Sequence, residues 1–296
     1  MSAVRLPSAS QLSRSRPRDC DASASDEITH APPGPLPSAP RDRGPRGGRG
    51  AIGPPVRYAI LGDIHSNVEA LRAVLDALDQ QPFNGLLCTG DLVGYGASPR
   101  EVIRLVRDLE PTVLVGGNHD WAAAGRLPLE YFNPFARDAI LWTRKVLDRH
   151  DLEWLGRHPA LVMRGEVTVS HGTIHDPEAF DYLQSAYDAH LSFSQLRTPY
   201  AFVGHSHVPV TFRSGTAVTY MIGDVIELGD AAQAVMNVGS VGQPRDEDPR
   251  AAFGIFDVKT RTLEVHRVEY DVEAAAARIR EAGLPEFLGD RLRIGR

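Results

Sequence analysis

From Val56 onward the chain alternates short apolar runs with amphipathic stretches, and few folds accept that rhythm. Val56–Leu61, Gly85–Thr89 and Thr112–Val115 are apolar and short enough to be strands. Between the first two, Asn67–Leu78 puts Val68, Leu71, Val74, Leu75 and Leu78 on one helical face. Ser98-Pro99-Arg100-Glu101 marks a helix start, with Ser as N-cap, Pro at the first position and Glu three residues after the cap. Strands separated by helices pair in parallel, because a tight hairpin cannot join them. A β-α-β-α-β unit is therefore expected.

Further along, Asn133-Pro134 opens a helix to about Leu147, and Asp151–Gly156 adds a short one. Val167–Ser170 and Tyr200–Val203 return to strand. Val210–Phe212, Ala217–Ile222, Ala234–Val238, Ala252–Val258 and Thr262–Val268 are short strands broken by turns, which suggests a second, mostly antiparallel sheet. Asp271 caps a last helix, Val272–Glu281, ended by Gly283.

Residues 1–55 differ in kind. They are rich in Arg, Ser, Pro and Gly, without apolar periodicity, and cannot bury enough surface to offset ordering entropy. A disordered tail is expected there, followed by a single domain over 56–296. The tail has neither the apolar core of a secretory signal nor the acid-poor composition of a transit peptide. It holds eight Arg against five acidic residues, and the remainder holds 24 basic against 33 acidic. An acidic body argues against a broad nucleic-acid-binding surface. No stretch reaches the length of apolar chain that spans a membrane. The two cysteines, Cys20 and Cys88, cannot build a disulfide framework, which fits a cytoplasmic, reducing setting.

Five apolar runs end on a polar motif that also contains glycine: Gly-Asp63-Ile-His65, Gly-Asp91, Gly-Asn118-His119, His171-Gly and Gly-His205-Ser-His207. In open α/β sheets, sites form at the carboxyl ends of strands, so these tips can converge. Seven donors result: Asp63, His65, Asp91, Asn118, His171, His205 and His207. Asp, His and Asn without Cys favour two divalent transition-metal ions, with Mn²⁺ the leading choice ahead of Fe, Zn, Co or Ni. A carboxylate has two oxygens, so Asp91 is the natural bridge. Asp63, His65 and His207 then complete one shell, and Asn118, His171 and His205 the other. Such a site is cationic within an acidic body and suits a small phosphate ester. A metal pair acidifies a bridging water and clamps both the attacking and the leaving oxygen of an in-line displacement. His119 is assigned to chemistry, as general acid to the leaving oxygen, with Asp120 orienting it. The remaining histidines lack this context and belong to surface or core, though His175 could rim the pocket.

The ordered blocks GDIHSNVEAL, GDLVGYG, GNHD, SHG, GHSHVP and NVGSVGQPRD resemble the calcineurin-like metallophosphoesterase superfamily, in particular its small prokaryotic phosphodiesterase branch, related to diadenosine tetraphosphatases. The resemblance runs from Val56 to the C-terminus. It implies a four-layer αββα sandwich of two mixed sheets, with the metal pair at one edge, and the ligand and His119 roles given above. It implies hydrolysis of phosphodiesters, extending to phosphomonoesters. Val93-Gly94-Tyr95-Gly96 stands where protein Ser/Thr phosphatases carry a phosphate-clamping arginine, which counts against protein phosphatase activity. Asn118, His119 and Arg245 are the candidate substrate-binding residues; for Arg245 the competing role is a salt bridge with Asp246 or Asp248. Two other readings stand beside this one: a non-catalytic scaffold on the same fold, and a hydrolase of dinucleoside polyphosphates or cyclic nucleotides. Oligomeric state is not readable.

Overall fold

A computed structural model describes residues 57–296; the tail expected over 1–55 lies outside the described residues. The expected β-α-β-α-β unit is present as β1 (Arg57–Leu61), α1 (Val68–Leu78), β2 (Gly85–Cys88), α2 (Pro99–Leu109) and β3 (Val113–Leu114). Both strand pairs are parallel. Asn67 caps α1, its side chain accepting from the Ala70 amide at 3.0 Å, and Val68, Leu71, Val74 and Leu78 are buried on one face. Burial of such side chains contributes roughly 1.5–3 kcal/mol each. Ser98 occupies the N-cap position of α2, but its side chain makes no capping bond there.

The chain continues through α3 (Asn118–Ala123), α4 (Pro134–Val146), α5 (Arg149–Gly156), the hairpin β4 (Leu161–Arg164) and β5 (Val167–Ser170), α6 (Ala186–Gln195) and β6 (Tyr200–Val203). Then come β7 (Val210–Arg213), β8 (Thr219–Met221), β9 (Val225–Glu227), β10 (Ala234–Asn237), β11 (Ala251–Asp257), β12 (Thr262–Val268), α7 (Val272–Glu281), α8 (Glu286–Asp290) and a 3₁₀ turn, Arg291–Ile294. Strands β4 and β9, helix α6 and everything after α7 carry no clear periodicity.

One sheet runs β3-β2-β1-β11-β12-β9 and the other β4-β5-β6-β10-β7-β8. This corrects the expectation that the late strands form a separate, mostly antiparallel sheet. β11 pairs antiparallel with β1, so β11 and β12 extend the first sheet. β10 pairs parallel with β6 and antiparallel with β7, so the second sheet is mixed.

The layering follows from side chains alternating along each strand. Tyr58 and Ile60 of β1 face inward and pack with Val169, Phe202, Met236 and Phe256 between the sheets. Ala59 and Leu61 point the other way, onto Leu71 and Val74 of α1 and Val102 and Val106 of α2. On the far side Ala201, Val203 and Val235 pack with Ala189 of α6 and Leu196. The result is helices, sheet, sheet, helices, the four-layer sandwich expected from the resemblance.

Candidate metal centre

The carboxyl ends of β1, β2 and β3 in one sheet and of β5 and β6 in the other open on the same edge of the sandwich. Their loops are zipped together by main-chain bonds. The Asp63 amide donates to the Gly90 carbonyl at 3.0 Å, and the His65 amide to the Asp91 carbonyl at 3.0 Å. Past the end of β10, the Val241 and Gly242 amides donate to the carbonyls of Gly62 and Asp63. Asn237, at the tip of β10, donates through Nδ2 to the Gly204 carbonyl at 2.8 Å and to Ser206 Oγ at 3.0 Å. Ser240 Oγ donates to the Asp63 carbonyl at 2.7 Å. Asn237 and Ser240 thus hold two ligand loops in place, a part sequence reasoning did not assign; only their place in the NVGSVGQPRD block pointed to them.

All seven candidate ligands converge. Asp63, His65 and His207 offer donor atoms within 4.8 Å of one another, and so do Asp91, His171 and His205. Asn118 joins the second group, its Oδ1 lying 3.1 Å from His171 Nε2. Asp91 Oδ2 stands between the groups, 3.5 Å from His65 Nε2 and 3.2 Å from His171 Nε2. This is the position a bridging carboxylate needs.

The donor set fits divalent metal. His65, His171 and His207 each place Nδ1 against a main-chain carbonyl, of Val93 (3.1 Å), Thr89 (2.8 Å) and Gln243 (2.6 Å) respectively. A carbonyl can only accept, so each Nδ1 carries a proton and each Nε2 is the nitrogen that faces inward. Outer partners of this kind orient metal-binding imidazoles. His65 Nε2 and His207 Nε2 then face each other at 3.1 Å, and His171 Nε2 faces His205 Nδ1 at 3.1 Å. The His65 and His207 rings are both neutral, so their facing lone pairs repel unless a cation stands between them.

Electrostatics agree. Burial holds His65, His205 and His207 well below the ordinary imidazole range, and so neutral. Burial acts the same way on His171, but the Asp91 carboxylate overrides it and lifts His171 to about 9. Burial would raise Asp91, yet His171, His119 and His65 together hold it below the usual carboxylate range. Burial, with Asp91 close by, pushes Asp63 up to about 7 against the pull of His171. A metal cation at such a site displaces the shared protons, which is how metal affinity becomes linked to pH.

The backbone is also strained there. Asp63, His65, Asp91, His205 and His207 have φ of 51°, 49°, 52°, 69° and 60°. Left-handed backbone is costly for residues with a Cβ, about 1–2 kcal/mol each, and it clusters at functional sites. Glycine supplies the close approaches: a Cβ on Gly117 would lie 2.0 Å from Asp91 Oδ1.

The centre opens into a cavity of about 650 Å³ lined on its floor by Asp91, Asn118, His119, His205 and His207, and on its walls by Tyr95, Tyr131, Phe132, Tyr182 and Arg245. The Tyr182 ring stacks on His205 with centroids 4.1 Å apart at 20°; no sequence signal marked it. His119 is buried, its Nδ1 has no partner among the described residues, and its amide donates to Asp91 Oδ1 at 2.9 Å. Burial lowers its ring to about 4 against the opposing field of Asp91.

Asp120 does not orient His119, contrary to expectation. Its carboxylate accepts instead from the amides of Leu92 (2.9 Å), Val93 (3.1 Å) and Gly117 (3.1 Å), pinning the Asp91 loop to the start of α3. On the first turn of a helix its short side chain reaches nearby amides before a neighbouring ring. The salt bridges considered for Arg245 are also absent: Asp246 pairs with Arg267, and Asp248 with Arg250. His175 does not line the cavity.

Residues 56–261 match the calcineurin-like phosphoesterase superfamily domain. The chain belongs to this superfamily, and the class of chemistry that comes with it is metal-dependent hydrolysis of phosphate esters. It is 41% identical to an uncharacterized protein of Methanocaldococcus jannaschii over 244 residues, 80% of this chain and 98% of the relative. The crystal structure of a metallophosphoesterase from Sphaerobacter thermophilus is 42% identical, covers 81% of this chain and 99% of its own, and superposes with a TM-score of 0.72. A symmetrical bis(5'-nucleosyl)-tetraphosphatase of Yersinia enterocolitica is 35% identical over 112 residues, only 36% of this chain and 38% of that enzyme.

Proposed function

We propose that the protein hydrolyses phosphodiesters, and phosphomonoesters more slowly, at a centre of two divalent transition metals, Mn²⁺ foremost. The observation that supports this best is Asp91 Oδ2 standing between two donor groups at the floor of an open cavity. Asp63, His65 and His207 would hold one ion and Asn118, His171 and His205 the other, with Asp91 common to both. When bound, such a pair polarises the phosphoryl oxygens and supplies a nucleophile from water near neutral pH.

The protein's own residues do the rest. Carbonyls of Val93, Thr89 and Gln243 fix three imidazoles so that nothing reorganises when substrate arrives. His119 stands at the cavity floor as general acid toward the leaving oxygen. Its ring is neutral in the free protein, and a phosphate anion beside it favours the protonated form. His119 also has a donor atom within 4.8 Å of those of His65 and Asp91, so ligation is the competing role for it. Arg245 faces the same space as a substrate anchor.

A second reading, hydrolysis of dinucleoside polyphosphates, draws support from the local match to the Yersinia enzyme and from a cavity larger than one phosphoryl group requires. A scaffold role fits less well, since every candidate ligand is present. No helix among the described residues is long and apolar enough to cross a membrane. The buried free thiol of Cys88 supports placement in the reducing cytosol.

The deciding experiment strips the purified chain of metal, reloads it with Mn²⁺, Zn²⁺, Co²⁺ or Ni²⁺, and assays nitrophenyl mono- and diesters beside dinucleoside polyphosphates. Metal-dependent turnover is expected, with the nitrophenyl diester preferred to the monoester. Full turnover after complete metal removal would sink the proposal.

A further inference from the structure

Two guanidinium groups approach one aromatic ring that lines the cavity, and neither has an acidic partner among the described residues. Arg245 lies with Cζ 5.6 Å from the Tyr95 ring centroid, and Arg291 with Cζ 6.0 Å from the same centroid. Tyr95 belongs to the Asp91 loop, and its ring sits 4.7 Å from that of His65 and 4.5 Å from that of His119. Arg245 lines the cavity beside the candidate centre, Arg291 reaches the same Tyr95 ring, and neither is among the candidate ligands.

The carboxylates next to the two arginines in the chain are engaged elsewhere, while Glu178 and Asp181 line the same cavity and form no ion pair with either arginine. Asp246 is taken by Arg267, Glu247 by Arg296, Asp248 by Arg250 and Asp290 by Arg293. Arg245 donates only to the Gln243 side chain, at 2.9 Å, and its Nε is buried without a partner. Arg291 donates through Nε to the Arg296 main-chain oxygen, and no described residue accepts from its two terminal nitrogens. Both arginines are held by one junction. The Glu247 amide donates to the Gly295 carbonyl at 2.9 Å. Gly295 is left-handed (φ 62°), and a Cβ there would come within 2.6 Å of the Asp248 backbone. The last turn of the chain is thus fitted against the loop that carries Arg245. Burial and the charge of Arg245 together depress Arg291 to about 10. Like charges kept close, with local carboxylates turned away, are stabilised by an incoming anion.

We propose that Arg291 is a specificity-determining residue: with Arg245 it forms a second anion subsite beside the metal centre, which takes a further phosphoryl group of the substrate, linked to the one under attack. Guanidinium suits this, since its planar fork matches phosphate oxygens. The proposal rests on the phosphoesterase reading and favours substrates with a phosphoanhydride chain over simple esters.

The test compares the full-length, metal-loaded wild type with Arg291→Gln and Arg291→Lys. The substrates are bis(p-nitrophenyl) phosphate, with a single phosphoryl group, and a diadenosine polyphosphate, with several. Arg291→Gln is expected to raise KM for the polyphosphate on the order of 10-fold or more, the usual worth of a charged hydrogen bond. It should leave kcat for that substrate, and both constants for the simple diester, near wild type. Arg291→Lys keeps the charge without the fork and should recover part of the loss; it also keeps the test open if the Gln variant does not fold. Calorimetry with methylenediphosphonate, inorganic phosphate and malonate gives a readout without turnover. Wild type should prefer the diphosphonate, and Arg291→Gln should lose that preference. If no ester is hydrolysed, the phosphoesterase reading fails while calorimetry still decides the subsite. An unchanged diphosphonate preference in both variants overturns the subsite, as does equal weakening of both substrates. Malonate binding as tightly as diphosphonate through Arg291 overturns its assignment to phosphoryl groups.

Discussion

At the scale of single residues, the proposed centre has seven candidate ligands and one ring, His119, proposed to move a proton. Asp91 is common to both donor groups, so Asp91→Asn should do more damage than a change at any other candidate ligand. The amide keeps the shape but surrenders the charge that neighbouring imidazoles are arranged around. Metal analysis should show both ions lost; a variant with two ions and normal turnover would mean Asp91 does not bridge. His119→Ala should behave differently. Metal content should stay near wild type, and turnover should fall by about 10²–10⁴-fold, roughly 3–5 kcal/mol of barrier, on esters with poor leaving groups. Nitrophenyl esters, whose leaving group departs unprotonated, should suffer less. Loss of one ion with equal failure on both ester types would make His119 a ligand. The convergence of the seven candidate donors was legible in the sequence because each motif places them at a strand end. Asp120 was misread because sequence adjacency to His119 says nothing of which amides a carboxylate will reach.

At the scale of elements, the unit of design is the strand-end turn. Apolar strands β1, β2 and β6 end in left-handed turns that aim Asp63, Asp91, His205 and His207 at one point. That geometry leaves no room for side chains where loops cross. Gly117→Ala should therefore push its Cβ into Asp91, 2.0 Å from Oδ1. We expect metal affinity to drop by roughly 10–100-fold, as it does when the outer support of a metal ligand is disturbed, with a smaller loss of Tm. Titration of metal into the stripped variant measures it; wild-type affinity would show that the loops can move apart freely. The helices and strands of the first half were legible from periodicity and caps. Short elements such as β4, β9 and the turn that carries Arg291 were not, because three or four residues hold too little pattern to distinguish strand, turn and coil.

At the scale of the molecule, both sheets contribute candidate ligands, so metal binding would tie one half of the sandwich to the other. Any ligand that binds the folded state alone stabilises it by mass action, about 2.7 kcal/mol at a hundredfold excess over Kd. Removing the metals should therefore lower Tm by roughly 5–10 °C for a domain of this size, and adding Mn²⁺ should restore it. Differential scanning calorimetry before and after chelation checks this. An unchanged Tm would mean that no metal binds the folded chain in preference to the unfolded one.

The sequence by itself determined the parallel half of the fold, the candidate donors at the strand ends and the family, because those depend on local spacing and on which donor atoms a motif offers. Tertiary structure alone decided how the late strands divide between the sheets, since a strand of four to seven residues carries no mark of which edge it will join. β11 pairs with β1 because its buried faces match both the inner and the outer core. Tertiary structure also decided the partners of Asp120 and the meeting of Arg245 with Arg291 over Tyr95, residues far apart in the chain that come together only when the last turn packs against the loop after β10.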